Sequence, residues 1–191
     1  LRHKVIQHFG IKTSLAVSAA ISPARSFITS NFRVDESLLS VLCDVSPFVP
    51  HGQELQVARG LQAFLYEDEI VAGSILIPFL ESGLRNLVSV AGRADTTISL
   101  GGIEKTIGLG RLLSDHREVL EKVFGESQIF AIDNLFIHEL GPKVRHEFCH
   151  GMAFDGSFYA HHYIYACKLI FSLTIMPITS EAVWSQIKSQ I

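Results

Sequence analysis

The sequence predicts a mainly all-α protein with one small β-hairpin. Apolar residues recur at helical spacing through most of the chain, and glycines and prolines stand where those runs stop. Only residues 96–107 hold two β-prone runs around a Gly-Gly pair.

Residues 1–48 alternate short helical patterns with the breakers Ser22-Pro23 and Ser46-Pro47, and they read as a helical lead-in to a domain over 49–191. The chain opens on Leu1, inside what already looks like a helix, so the expectation is the end of a longer protein. From Pro50, which suits a first turn, Leu55, Ala58, Leu61 and Leu65 mark an amphipathic helix that ends near Glu67-Asp68-Glu69. A longer helix follows, with Ile70, Ile77, Leu80, Leu84, Leu87 and Ala91 on its apolar face, a kink at Pro78 and a stop at Gly92. The runs 96–100 and 103–107 then flank Gly101-Gly102, the pair favoured by a two-residue hairpin turn.

Asp115 and Glu118 have the spacing of a capping box for a helix through Phe124, closed by Gly125. Ile129, Ile132, Leu135, Phe136 and Leu140 give the next face, closed by Gly141-Pro142. A last helix over about 157–175 is apolar almost all round, as a core or dimer-seam helix is. Its stretch 163–176 is shorter than the roughly 20 residues a membrane span needs and carries Lys168, so no transmembrane segment is expected in this chain. Membrane attachment through a region beyond these residues stays open.

Composition narrows the function. Hydrophobic residues make up 48% and charged ones 18%, which is apolar for a soluble monomer and predicts a partner-covered surface, hence an oligomer. A net charge of −3 excludes a protein that coats nucleic acid through its overall field, so any RNA contact must be local. Cys43, Cys149 and Cys167 are too few and too far apart for a disulfide framework or a Cys-x-x-Cys zinc knuckle, which fits a reducing, cytoplasmic compartment. The glycines near residue 105 form no phosphate loop. Glu104 stands where the Walker pattern needs glycine before Lys105-Thr106, and Gly108-Leu109-Gly110 lacks the third glycine of a dinucleotide fold.

The chemistry concentrates in Arg145-His146-Glu147-Phe148-Cys149-His150-Gly151. One reading is the H-E-x-x-H string of zinc hydrolases, in which His146 and His150 share a helix face and Glu147 is the general base. It requires a third ligand, for which Glu139, Glu181 or the His161-His162 pair are the candidates. The extended metzincin form is excluded, because Ala153 stands at its glycine and Gly156 at its third histidine. The other reading pairs Arg145 with His150 and needs no metal. Five residues of helix turn through about 140°, so the two side chains diverge within one chain unless a helix start or a two-fold partner reunites them. Placed together, an imidazole exchanges protons near neutrality while a guanidinium holds phosphate and stabilises a phosphorane. A purely structural reading leaves Arg145 paired with Glu139 or Glu147. Glu81 and Arg85, four apart on the long helix, form in isolation only a helix-surface ion pair, of functional weight if they face the motif.

The run from Gly141 to Gly151 resembles the signature Arg-Asn-x-x-x-His-Gly of a helical domain-of-unknown-function family within the HEPN (higher eukaryotes and prokaryotes nucleotide-binding) superfamily. That family includes proteins named for endoplasmic-reticulum-membrane-associated RNA degradation. The segment Ile77-Pro78-Phe79-Leu80-Glu81 through Leu84-Arg85-Asn86-Leu87 is similar to its central helix, and Thr106-Ile107-Gly108-Leu109-Gly110-Arg111-Leu112-Leu113 to the turn that follows, so the resemblance covers about residues 50–177. It implies a HEPN-like helical bundle, a two-fold homodimer and metal-independent endoribonuclease activity without a cofactor. Arg145 matches the motif arginine, His150 the catalytic histidine and Gly151 the small residue after it, while His146 replaces the commonest asparagine. The expected products are a 2′,3′-cyclic phosphate and a 5′-hydroxyl, with DNA uncut. His146, Gly151, Glu81 and Arg85 are expected to support the site and Lys143 to attract RNA phosphate. Two alternatives accompany this expectation: a catalytically silent dimer that binds RNA or nucleotide, and the zinc hydrolase.

Overall fold

The computed structural model describes residues 2–93, 96–98 and 104–179. They form an all-α bundle with one short antiparallel ribbon. Helix α1 (Arg2–Ala16) passes through a π turn (Val17–Ile21) into α2 (Ser22–Asn31) without a break. The predicted breaker at Ser22-Pro23 does not interrupt it. Pro23 follows directly on the π turn, in which Ser22 N–H bonds the Val17 carbonyl five residues back, and that wider turn gives its ring room.

These first helices are tied into the bundle. Arg25 on α2 meets Glu69 at 2.7 Å, both almost wholly buried, and lies over the Phe64 ring at 4.5 Å. Burial outweighs the arginine and holds the Glu69 carboxyl above its usual range. Helix α3 (Glu36–Asp44) starts on Asp35, whose side chain accepts from Leu38 N–H, and it buries Leu39 and Cys43. Beyond it, Phe48 is fully buried, with the Phe79 and Phe124 rings edge-on to it.

Helix α4 (Glu54–Leu65) begins later than Pro50 suggested, because Gly52 takes φ +87° and the Glu54 carboxylate folds back to accept its N–H. Helix α5 (Glu69–Val90) is capped by Asp68 and continues through Pro78, which faces solvent. Its predicted face is the centre of the core: Ile77, Leu80, Leu84 and Leu87 are at most 1% exposed. Ile70 and Ala91, assigned to the same face, are half-buried at its ends. Helices α4, α9 and α11 pack around α5. Among the described residues it is the one helix long and apolar enough to cross a membrane.

Strands β1 (Thr96–Ile98) and β2 (Glu104–Thr106) pair antiparallel with Ile98 opposite Glu104. The Gly101-Gly102 turn lies outside the described residues; an unbulged two-residue turn there would set Ile98 opposite Lys105, one residue away from the observed register. The capping box proposed at Asp115 is corrected. Asp115 ends α6 (Leu109–Asp115), and its carboxylate is engaged by Arg111 and Ser114, so α7 (Arg117–Phe124) starts on His116 without a side-chain cap. Helix α8 (Glu126–Ile132) runs into a second π turn (Asp133–Ile137), which ends the helical face before Leu140 and leaves that residue exposed. Short helices α9 (Val144–Cys149) and α10 (Asp155–Phe158) precede α11 (His161–Thr179), which starts four residues later than its apolar pattern suggested.

Because Leu84 is fully buried on the central helix, Leu84→Ala is expected to lower stability by about 2–5 kcal/mol, through lost transfer energy and the cavity left behind. Urea denaturation followed by circular dichroism measures this; a loss under about 1 kcal/mol would remove α5 from the centre of the core.

Candidate functional site

The motif occupies α9, a helix of six residues, and the connections at its two ends. Its entry is unusual. Gly141 lies so close to the Asn134 carbonyl of the π turn that a Cβ there would collide with it, and Lys143 adopts φ 49°, ψ 44°, the left-handed region, before the helix begins. Its exit is a Schellman stop: Gly151 N–H donates to the Phe148 carbonyl, Met152 N–H to the Glu147 carbonyl, and Gly151 takes φ +65°. The small residue after His150 is therefore needed by the backbone.

Three side chains fix how α9 is turned. Val144 is fully buried. Arg145 reaches α5, its NH2 nitrogen 2.7 Å from Glu81 Oε2. On the opposite side, Glu147 Oε2 accepts the Tyr163 hydroxyl of α11 at 3.2 Å. Burial, then the Glu147 charge, pushes that phenol well above its ordinary pKa, so it stays a donor. With α9 held on both flanks, His146, Cys149 and His150 face solvent.

Glu81 is shared. Its Oε1 accepts from Arg85 at 2.8 Å, and the same Arg85 nitrogen donates to the Ile107 carbonyl at 3.1 Å. The Arg145 contact to Oε2 is an ion pair with no N–H well aligned on that oxygen, which otherwise lacks a hydrogen bond. Two guanidinium groups thus share one carboxylate, and the trio carries a net positive charge. Arg145 keeps 40% of its side chain exposed, against 17% for Glu81.

Of the residues selected from sequence, the fold brings Arg145, Glu81 and Arg85 into one cluster and sets His146 beside His150, with ring centroids 4.4 Å apart and the ring planes tilted by 52°. Among the described residues no hydrogen bond or ion pair joins Arg145 to His150, as the 140° of helix between them requires. The structural pairing of Arg145 with Glu139 or Glu147 is replaced by Glu81. Lys143 is half-buried at the start of α9, without an ion pair among the described residues. Sequence reasoning missed Tyr163, and no local pattern marks it, since its partner lies across a loop and a short helix.

The zinc reading keeps its two histidines on one face but gains no third donor among the described residues. Glu147, its general base, is bound to Tyr163, and the His161 ring lies between Ser14 and Ser18. Glu181 is outside the described residues. Among the described residues no group of three or more His, Cys, Asp or Glu is arranged to hold a metal ion. No protein-family model, curated protein or solved structure matches this chain.

Gly151→Ala places a Cβ in the left-handed region and is expected to lower stability by about 1–2 kcal/mol, whereas Gly151→Asn should lose clearly less. Urea midpoints of the two variants check this, and equal losses would contradict the helix-stop role.

Proposed function

We propose that this chain is a HEPN-type, metal-independent endoribonuclease that works as a two-fold homodimer. The observation carrying the reading is that α9 holds an anchored, part-exposed arginine and a solvent-facing histidine pair on adjacent sides of one short helix. Arg145 is fixed by a carboxylate that Arg85 also neutralises, so its positive charge remains available to an RNA phosphate.

In the proposed reaction His150 takes the proton from a ribose 2′-hydroxyl, whose oxygen attacks the adjacent phosphorus. The bond from phosphorus to the 5′-oxygen breaks, and that oxygen is protonated, leaving a 2′,3′-cyclic phosphate and a 5′-hydroxyl. Arg145 stabilises the added negative charge on phosphorus, and His146, in ring contact with His150, orients it. Within one chain Arg145 and His150 diverge, so a second copy is assigned the task of presenting its own motif across a two-fold axis. The apolar composition and the exposed Met152, Phe154 and Tyr159 just after the motif favour such a contact. Lys143, at the entry to α9, adds local attraction for phosphate.

Incubation with single-stranded RNA in excess EDTA tests the reading. Wild-type protein is expected to leave 2′,3′-cyclic phosphate ends, His150→Ala to lose about 10²–10⁴ in rate, and Arg145→Ala about 10²–10³. DNA of the same sequence should stay intact because it lacks the attacking hydroxyl. RNA binding without cleavage would identify a silent binding dimer instead, and equal cleavage by His150→Ala would overturn the proposal.

A further inference from the structure

A cavity of about 380 Å³ lies between α1, the second π turn, the 140–142 connection and the start of α11. The proposed chemistry does not use it. Its wall is mostly apolar, built from Ile6, Phe9, Leu135, Leu140 and Pro142, and among the described residues no Asp, Glu, Lys or Arg lines it. Its polar side chains are mainly engaged elsewhere. Thr13 donates to the Phe9 carbonyl at 2.8 Å, and the His161 ring nitrogens lie 3.3 and 3.2 Å from the Ser14 and Ser18 hydroxyls.

His162 is different. Its half-buried ring lines the cavity, and no hydrogen bond among the described residues engages it. Burial, helped by the neighbouring His161 and opposed by Glu147, pulls its pKa below the ordinary value, so near pH 7 it offers one neutral donor and one neutral acceptor. Asn134, in the same wall, spends its amide N–H on the Phe130 carbonyl and leaves Oδ1 unpartnered, closed off from solvent in this state.

We propose that this cavity binds a small uncharged molecule with an apolar, ring-containing body and one hydroxyl group, which hydrogen-bonds His162. Because no charged residue among the described ones lines this half-open pocket, an ionic group lowered into it gives up water without gaining a counter-ion, and that sets the charge of the ligand. The volume sets its size. A dry apolar cavity of about 150 Å³ accepts benzene, so the space here suits a fused two-ring body, and it falls within the range of ordinary ligand sites.

Isothermal titration of the full chain with β-naphthol tests the site. Saturable one-to-one binding is expected, with β-naphthoate, the same rings carrying a carboxylate, at least tenfold weaker. Gly10 lines the cavity on α1 with open space where a Cβ would go. Gly10→Leu places a large side chain on the lining helix and should weaken β-naphthol at least tenfold, while favouring the helix and so preserving the fold. His162→Phe keeps the ring volume and should weaken β-naphthol severalfold. No saturable binding, equal affinity for the carboxylate, or unchanged affinity in Gly10→Leu would overturn the proposal.

Discussion

One carboxylate holds the motif end of this molecule in register. Glu81 projects from the central helix and takes Arg85 on one oxygen and Arg145 on the other, while Arg85 also reaches the Ile107 carbonyl. Three segments distant in sequence are thereby pinned at one half-buried point: the core helix, the exit from the ribbon and the motif helix. Neither arginine alone explains the arrangement. A single pair at i and i+4 is worth a few tenths of a kcal/mol on a helix surface, but removing a part-buried carboxylate shared by two guanidinium groups leaves both uncompensated.

That anchor also dictates what α9 shows to solvent. Helical geometry lets Arg145 point at α5 and Glu147 at α11 only if the side between them turns outward, and that side carries His146 and His150. The letters H-E-x-x-H consequently describe two side chains on an open face and one withdrawn onto a buried phenol. The same geometry turns Arg145 and His150 to different sides of α9.

Much of this was legible in the sequence where the determinants are local. The spacing of Ile77, Leu80, Leu84 and Leu87 marks the buried side of α5, and Gly92 and Gly125 mark helix ends, because periodicity and positive-φ stops leave a trace within a few residues. The rest turns on competition for one side chain or on partners far away in the chain. Asp115 has the letters of a cap, but Arg111 and Ser114 engage its carboxylate first. The Arg25–Glu69 pair and the bond from the Ser46 hydroxyl to the Thr174 carbonyl, which tie residues 1–48 to the bundle, join positions 44 and 128 apart, and no local window shows them. At the site, Arg145, His146 and His150 were visible, and Glu81 and Arg85 were visible as a pair. That Arg145 is the pair's third member depends on a helix crossing no local window encodes.

The entry to α9 connects the site with the rest of the bundle mechanically. Gly141 is seated against the Asn134 carbonyl with no room for a side chain, and two residues later the chain must pass through a left-handed Lys143 to begin the helix. A segment packed so closely moves as a unit with the π turn beneath it. Leu140, Gly141 and Pro142 are also one wall of the 380 Å³ cavity, and His162, on its far side, lies in the field of Glu147. The 140–142 connection is therefore at once a wall of the cavity and the entry to α9, and its backbone is held by the seat of Gly141 on the π turn.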